Sequence, residues 1–378
     1  MLTFDVIVLG AGAMGSAAAY QLARQGKQVL LLEQFEIAHS RGSTHGESRI
    51  FRFAYTNLAY AELAFQCKDL WLKLEKDANE KVLTILGGID FAEDEIGKLN
   101  VLEVRDALKA LGSSFEELDH KELNKRYPQF HLSNSVLGVY SPDTGVINPT
   151  RAIEVMVNCA KEFGAVAQDN QQVKEIYPLK DKIEIITEKN RYQASKLIIS
   201  VGGWTNKLLG YFNLQLPLQV SQEQTVYFRP LANQKLFTKE TFPVWINYRE
   251  NIVYGIPALN ETAVKVGFHH NGLYLDIDDY HQEIQQEVTE RLRDYLKEYI
   301  PDLAGEAFGA STCIYTNTPD HDFIVDLLPG YENIAIAAGF SGHGFKFSIG
   351  IGQALADLIT KGKTQMKIGH LNIKRFLT

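Results

Sequence analysis

The sequence predicts an α/β protein with a Rossmann-like dinucleotide-binding domain, discontinuous in sequence, and a second, α+β domain built on a mixed sheet. Three observations lead to this prediction. A strand–turn–helix–strand unit occupies residues 4–33, strand patterns dominate residues 219–270, and an apolar strand, a glycine-rich loop and a helix follow at 333–359. A chain of 378 residues is also longer than one typical hydrophobic core supports, so two domains are expected.

The N-terminal unit begins with a buried strand that leads into the glycine turn GAGAMG. Gly10 permits the tight turn, Gly12 lets the backbone approach a pyrophosphate, and Gly15 lets helix and strand pack closely. Glu33 ends the second strand, where a carboxylate accepts hydrogen bonds from ribose hydroxyls and repels a 2′-phosphate, which argues against NADP. The alternative is an empty structural unit of the same form. The motif predicts a dinucleotide site without choosing between NAD and FAD.

The segments after this unit return the chain to the same sheet. Helical spacing of apolar residues covers 60–74, and Asn148 with Pro149 has the pattern of an N-cap followed by the first helical residue. Residues 182–187, a turn at 188–190 and the apolar run KLIISVGGW predict a hairpin that leads into a buried parallel strand. The dinucleotide domain is therefore expected to be interrupted by the second one.

The second domain is expected to hold the substrate. Strands such as TVYFRP, NIVYGIP and AVKVGFHH precede an amphipathic helix predicted from about Asp278 to Tyr299, which ends before Pro301. We assign residues 1–84, 141–213 and 314–378 to the dinucleotide domain, and residues 85–140 and 214–313 to the substrate domain.

Composition excludes several classes of partner. The 38 basic and 46 acidic side chains give a net charge of -8, which opposes binding to nucleic acid or anionic lipid. No apolar stretch approaches the roughly 20 residues of a membrane-spanning helix. The N-terminus lacks the basic and long apolar segments of a secretory signal, so a cytoplasmic location is expected. The three cysteines are far apart, which indicates neither a disulfide framework nor a zinc site.

Four segments together resemble the monomeric sarcosine oxidase and N-methyltryptophan oxidase family of the glycine and D-amino-acid oxidase group. They are GAGAMG with Glu33, GSTHGESRIFRFAY at 42–55, YGIP with KVGFHH within 254–270, and STCIYTNTPD with GFSGHGFKF within 311–347. The resemblance spans almost the whole chain. It implies one FAD per chain, a monomer, and a small amino-acid substrate with O2 as the second reactant.

The resemblance also implies how FAD is held. Cys313 matches the position where a thiol is joined to the flavin 8α-methyl carbon. The alternative is that Cys313 is only a small buried apolar residue of the core. Cys67 and Cys159 lie in helical patterns and are expected in the core. The other positions expected to contact the cofactor are Ser43, Arg49, Val173, Gly342, Gly344 and Lys346.

Charged and aromatic residues are expected around the substrate. Arg52 and Lys346 are the expected carboxylate pair, with a surface charge pair as the alternative, and Arg49 and Arg52 would lie one turn apart if their segment were helical. Lys265 matches the lysine beside the flavin N5 edge, where a fixed cation assists oxygen reduction; a lone strand lysine would otherwise be an exposed edge residue. The remaining pocket positions are Tyr254, Tyr315, His343 and Trp245.

His269 is the expected titratable neighbour of the amine, tuned near neutral pH so that it helps to bind the unprotonated form. The implied reaction oxidises the secondary amine of an N-methyl or N-alkyl amino acid, and the imine is then hydrolysed while O2 becomes hydrogen peroxide. Whether a hydride or single electrons move stays open. The alternatives are a dehydrogenase or another amino-acid oxidase with a different substrate, and a silent flavin-binding module.

Overall fold

The computed structural model of the chain describes residues 2–179, 181–260 and 263–377. Within these residues the strands are β1 (Leu2–Leu9), β2 (Val29–Leu32), β3 (Arg49–Phe51), β4 (Leu83–Ile85), β5 (Gly88–Ala92), β6 (Glu116–Leu118), β7 (Leu137–Ser141), β8 (Gly145–Ile147), β9 (Val166–Gln168), β10 (Val173–Pro178), β11 (Ile183–Thr187), β12 (Arg191–Ile199), β13 (Gln219–Phe228), β14 (Val244–Asn247), β15 (Val253–Ile256), β16 (Val264–Phe268), β17 (Leu273–Leu275), β18 (Ala307–Asn317), β19 (Ile324–Leu327) and β20 (Ile334–Ala338).

The α-helices of the described residues begin and end as follows: α1 (Ala13–Arg24), α2 (Leu58–Ala78), α3 (Glu95–Leu111), α4 (His120–Arg126), α5 (Pro149–Glu162), α6 (Thr205–Leu209), α7 (Gln286–Tyr299) and α8 (Ser348–Lys361). Helix α5 begins as predicted, because the Asn148 side chain accepts a hydrogen bond from Arg151 N and Pro149 follows it. No helix of these residues is both long and apolar enough to cross a membrane.

The first large sheet is the predicted Rossmann-like sheet. Its central strands β9, β2, β1, β12 and β20 are parallel to one another, and the predicted hairpin β11–β12 and the pair β19–β20 add antiparallel extensions. Helices α1, α2, α5 and α8 supply one apolar cluster of the protein, and a second cluster includes the inward side chains of β1, β2, β11 and β12. Both faces of the parallel strands are therefore buried, as strands with continuous apolar runs require.

The second large sheet is mixed, as predicted, and follows the order β17–β13–β16–β15–β14–β5–β7–β6, with β18 also paired to β13. Strands β14 and β5 are parallel, whereas the other pairs are antiparallel. One face packs on α7 through a cluster that contains Trp245, Phe228 and Leu292. The opposite face points toward the first sheet.

One local prediction was wrong, and one condition set for the Arg49 segment is not met. Helix α7 begins at Gln286, because residues 280–285 hydrogen-bond to β13: Gln222 Nε2 donates to the carbonyl of Glu283, and Gln285 N donates to Gln224 Oε1. The segment at Arg49 is a strand paired with β8 and not a helix. The domain division stays a prediction, and β18 runs through the predicted boundary at 313/314 and remains paired with β13 to Asn317.

Candidate active site

A large cavity of about 1010 Å³ lies between the carboxyl ends of the first sheet and one face of the second. This volume is at the upper end of the usual range for small-molecule sites. The first sheet contributes the glycine turn and Glu33, and the second contributes Lys265 and Cys313. The position agrees with the rule that open parallel sheets bind ligands at their carboxyl ends.

The three glycines of the turn have the predicted geometry. Gly10 has φ +91°, and a Cβ on Gly15 would lie 1.8 Å from the Gly10 carbonyl oxygen, so both positions require glycine for backbone and packing reasons. Gly15 is buried in this contact and is not among the cavity-lining residues. A Cβ on Gly12 would meet no atom within 4 Å, because this residue faces the open cavity.

The N-terminus of α1 is free to receive an anion. Gly12 is its N-cap, no side chain caps it, and its first turn contains no acidic residue. The first backbone N–H groups, around Ala13 and Met14, therefore keep their positive partial charge at the cavity wall. Such an N-terminus suits the pyrophosphate of a dinucleotide.

Glu33 is buried at the end of β2, also on the cavity wall. Its Oε2 accepts a hydrogen bond from Ala11 N at 2.8 Å, and its Oε1 accepts one from Phe35 N at 3.0 Å. The carboxylate thus holds the glycine turn and the following loop at fixed positions. Val173 lines the cavity near this end.

Cys313 lies on β18, directly opposite Glu223 of β13, and lines the cavity. Burial raises the pKa of its thiol, while Arg49 and Lys265 act in the opposite direction. Cys67 and Cys159 are buried inside helices, as predicted, and do not line the cavity. Among the described cysteines, Cys313 alone is placed to meet a cofactor.

Two cations lie beside Cys313. The Lys265 ammonium donates a hydrogen bond to the Ser48 carbonyl at 3.1 Å, and Arg49 donates from Nη1 to the same carbonyl at 2.9 Å and from Nη2 to the Ser43 carbonyl at 3.0 Å. Burial and the neighbouring Arg49 lower the pKa of Lys265 to about 7. Lys265 is therefore a buried cavity residue and not an exposed edge lysine.

Arg52 also lines the cavity, and two hydrogen bonds hold its side chain. Its Nη1 donates hydrogen bonds to the buried Asp90 carboxylate and, at 3.2 Å, to the Tyr248 hydroxyl. Burial raises the pKa of Asp90, while Arg52 lowers it. Sequence reasoning missed Asp90 and Tyr248, although an aspartate inside the apolar strand pattern GGIDFA was a usable signal.

Lys346 lines the cavity near Arg52 and forms a short chain of polar contacts. Its ammonium donates to the Tyr55 hydroxyl at 2.7 Å and to the His343 carbonyl at 2.8 Å, and the Tyr55 oxygen lies 3.3 Å from His343 Nδ1. Burial and Arg52 lower the pKa of Lys346 well below its usual value. The two expected carboxylate-binding cations thus line one cavity.

Two of the histidines that line the cavity, His269 and His343, are neutral groups. Burial lowers the pKa of His269 and of His343 well below the usual value, and neighbouring cations or histidines act in the same direction. The expectation that His269 is tuned near neutral pH was therefore wrong. Both line the cavity beside Tyr254 and Tyr315.

Two loop glycines, Gly342 and Gly344, shape part of the cavity wall. Gly342 has φ +76°, and a Cβ there would lie 2.0 Å from the Tyr315 ring, so glycine lets the ring pack against the loop. Gly344 also lines the cavity and lies against Phe340.

Trp245 is not a pocket residue, which corrects the prediction. Its side chain is fully buried on the opposite face of the second sheet, where it packs against Phe91, Phe130 and Tyr295. Side chains alternate along a strand, so Ile246, the next residue of β14, lines the cavity instead.

A family profile described as DAO, FAD dependent oxidoreductase, matches residues 5–358. The chain belongs to this FAD-dependent oxidoreductase family. It is 37% identical to the monomeric sarcosine oxidase of Bacillus sp. strain B-0618 over 376 residues, with 98% of this chain and 96% of the relative covered. It is 29% identical to the N-methyl-L-tryptophan oxidase of Salmonella dublin, with 99% and 100% covered.

The fold of this oxidoreductase is shared with the L-proline dehydrogenase of P. horikoshii, at a TM-score of 0.88 and 22% identity, with 99% of this chain and 98% of that chain covered. Family membership decides between NAD and FAD in favour of FAD. It confirms the flavoprotein class that the sequence motifs predicted.

Proposed function

We propose that this flavoenzyme oxidises the secondary amine of an N-methyl or N-alkyl amino acid, such as sarcosine or N-methyltryptophan, and passes the electrons to O2. The observation that carries the proposal is the placement of two pairs of basic side chains on the wall of one cavity: Arg49 with Lys265 near Cys313, and Arg52 with Lys346. The names of the full-length relatives support the same substrate class.

The residues present fit FAD. Gly12 opens onto free space, the N-terminus of α1 has no side-chain cap, and Glu33 stands at the end of β2. We expect these groups to hold the pyrophosphate and ribose, and Ser43, Arg49, Val173, Gly342, Gly344 and Lys346 to line the remainder of the cofactor's path. When bound, FAD supplies the two-electron acceptor for the amine and the donor for O2.

The chain's own residues orient the substrate. Arg52 presents a fixed guanidinium to the carboxylate, and Lys346 adds a second N–H donor. Burial and Arg52 lower the pKa of Lys346, and a carboxylate bound beside it would raise that pKa again and so favour the ammonium form.

The same cavity favours the reactive, unprotonated amine. Arg52 and Lys346 disfavour another cation nearby, so an ammonium group loses its proton more readily there than in water. Neutral His269 can exchange hydrogen bonds with the amine without adding charge. Near Cys313, the basic side chains of Arg49 and Lys265 stabilise negative charge that develops when O2 is reduced.

We also propose that Cys313 carries FAD covalently, since its thiol lines the cavity and lies near Arg49 and Lys265, which oppose the rise of its pKa on burial. The relatives named monomeric support a monomer. A cytoplasmic location remains a prediction from composition and sequence.

The test is a substrate panel on the purified FAD-loaded enzyme, with sarcosine, N-methyl-L-tryptophan and their unmethylated counterparts, and with peroxide and formaldehyde measured together. Equal amounts of peroxide and formaldehyde from an N-methyl amino acid would support the proposal. Reduction of an artificial dye without peroxide in air would identify a dehydrogenase. Absence of any reaction across the panel would reject the substrate class.

A further inference from the structure

Asp90 is a buried acid with no place in the proposed chemistry, yet it contacts the residue assigned to the substrate carboxylate. It lies in the middle of β5, opposite Ile246 of β14 on one side and Val139 of β7 on the other. Its neighbours Ile89 and Phe91 point into the core with Trp245, so Asp90 points to the cavity side of the sheet. Its side chain is 3% exposed, and it does not line the cavity.

The contacts of Asp90 show what it does to Arg52. Within the described residues, both hydrogen bonds of the Arg52 side chain leave from Nη1, to the Asp90 carboxylate and to the Tyr248 hydroxyl. A guanidinium is planar, so two hydrogen bonds donated by the same Nη1 in different directions fix the plane of the whole group. The edge formed by Nε and Nη2 then has one orientation, and this edge presents two parallel N–H groups that match a carboxylate.

Asp90 also balances the positive charge of Arg52 at the cavity wall. His269 and His343 are neutral, and Arg52 is a permanent cation there. An unpaired buried guanidinium would be costly, and a long side chain would turn toward water to avoid that cost. The paired acid allows the arginine to remain in place before the substrate arrives.

We propose that Asp90, with Tyr248, is a positioning residue that sets the plane of Arg52, so that its Nε–Nη2 edge is ready for a substrate carboxylate. This inference rests on the proposed function, because it assumes that Arg52 binds the carboxylate. It assigns Asp90 no contact with the substrate, and it predicts that the acid strengthens anion binding despite its own negative charge.

A position effect of Asp90 and a charge effect of Asp90 predict opposite changes in anion binding. If Asp90 acted only through its charge, removing the charge would strengthen binding of an anion. If it acts by position, Asp90→Ala weakens binding of acetate, measured through the change in the flavin absorption spectrum, by about 10- to 100-fold. Asp90→Asn retains an oxygen acceptor for Nη1 and loses less than Asp90→Ala, and Tyr248→Phe shifts binding in the same direction.

Turnover supplies the second readout. The KM for the best N-methyl amino acid should rise in Asp90→Ala, while kcat changes less, because the affected contact is with the carboxylate. Asp77→Asn is the matched control. Asp77 accepts a hydrogen bond from the Tyr20 hydroxyl and, like Asp90, pairs with an arginine, Arg24, but it lies outside the cavity. Its acetate affinity should equal that of the wild type.

Acetate binding that is unchanged or stronger in all three variants would overturn the inference. If Asp90→Ala fails to retain FAD or to fold, Asp90→Asn and Tyr248→Phe decide the matter by the same measurement. Failure of the proposed function has a different signature: the wild type would yield no peroxide with any amine, or Arg52→Lys would bind acetate as well as the wild type.

Discussion

Lys265 donates a hydrogen bond from its ammonium group to the main-chain carbonyl of Ser48 at 3.1 Å, although both residues are buried. Strand β16 supplies the lysine and the loop before β3 supplies the carbonyl, so the contact joins segments 217 positions apart. The carbonyl compensates part of the cost of burying an ammonium group, and Arg49 raises that cost. A buried lysine whose pKa is strongly lowered in this way is typical of a functional site.

Lys265→Met should separate oxygen chemistry from amine oxidation. We expect the reaction of the reduced enzyme with O2 to slow by about 100-fold or more, because a preorganised cation is lost from the site. Reduction of the enzyme by its amine substrate without oxygen should change much less. Stopped-flow spectroscopy of the two half-reactions measures both, and an unchanged oxygen reaction would remove Lys265 from this role.

The same variant should change how stability depends on pH. Lys265 has a pKa of about 7 in the folded chain against an ordinary value of 10.5, so between these values the unfolded chain binds a proton that the folded chain has released. Lys265 therefore contributes a rise in stability as pH increases through this window. Thermal melts of the FAD-free chain should show a smaller rise in Lys265→Met, and an identical rise would contradict the low pKa.

Cys313→Ser should abolish covalent attachment while leaving the fold intact. Acid-precipitated wild type is expected to keep yellow flavin in the pellet, and the variant is expected to release it. Cys159→Ser is a control, because Cys159 is buried in α5 away from the cavity. Flavin released from the wild type would make Cys313 a packing residue, and would place the enzyme with non-covalent flavoenzymes.

The glycine turn permits a paired experiment on folding and cofactor binding. Gly15→Ala should prevent normal folding, since its Cβ would lie 1.8 Å from the Gly10 carbonyl oxygen. Gly12→Val should leave the FAD-free chain nearly as stable as the wild type, because a Cβ there meets no atom, but should weaken FAD binding by obstructing the phosphate position. Circular dichroism and FAD titration distinguish the two, and equal folding defects would refute this assignment.

The pH profile of turnover should contain no step from the imidazoles of His269 and His343. His269 and His343 stay neutral when the pH passes through about 6 to 8, because burial lowers the pKa of each well below its usual value. In His269→Asn, kcat/KM should therefore change in size while keeping the shape of its pH dependence. Loss of an acidic limb near the ordinary histidine pKa in that variant would show that His269 titrates there.

Trp245 should matter for stability and not for substrate preference. Trp245→Ala removes a fully buried side chain from the core of the second sheet, which should cost about 3–5 kcal/mol of stability. Trp245→Phe should cost less, and the KM ratio between small and aromatic N-methyl amino acids should stay constant in it. A changed ratio would return Trp245 to the pocket.

Local sequence determined much of this protein. Periodicity and caps placed α5 and the hairpin β11–β12, and the spacing of Gly10, Gly12, Gly15 and Glu33 specified the Rossmann-like turn. These features depend on interactions between residues close in sequence, or on backbone angles that few residues adopt. Motifs in the last third of the chain also pointed to the family that the comparisons show.

Tertiary structure decided which side of each strand faces the cavity and what charge each buried group carries. The strand β14 placed Trp245 in the core and Ile246 at the cavity, a choice that one residue of register reverses. The pKa values of His269 and Lys265 follow from burial and from neighbours distant in sequence. Asp90 lies in β5 of the second sheet, whereas Arg52 follows β3, which pairs with β8 in a separate small sheet, so only the folded chain brings the two side chains into contact.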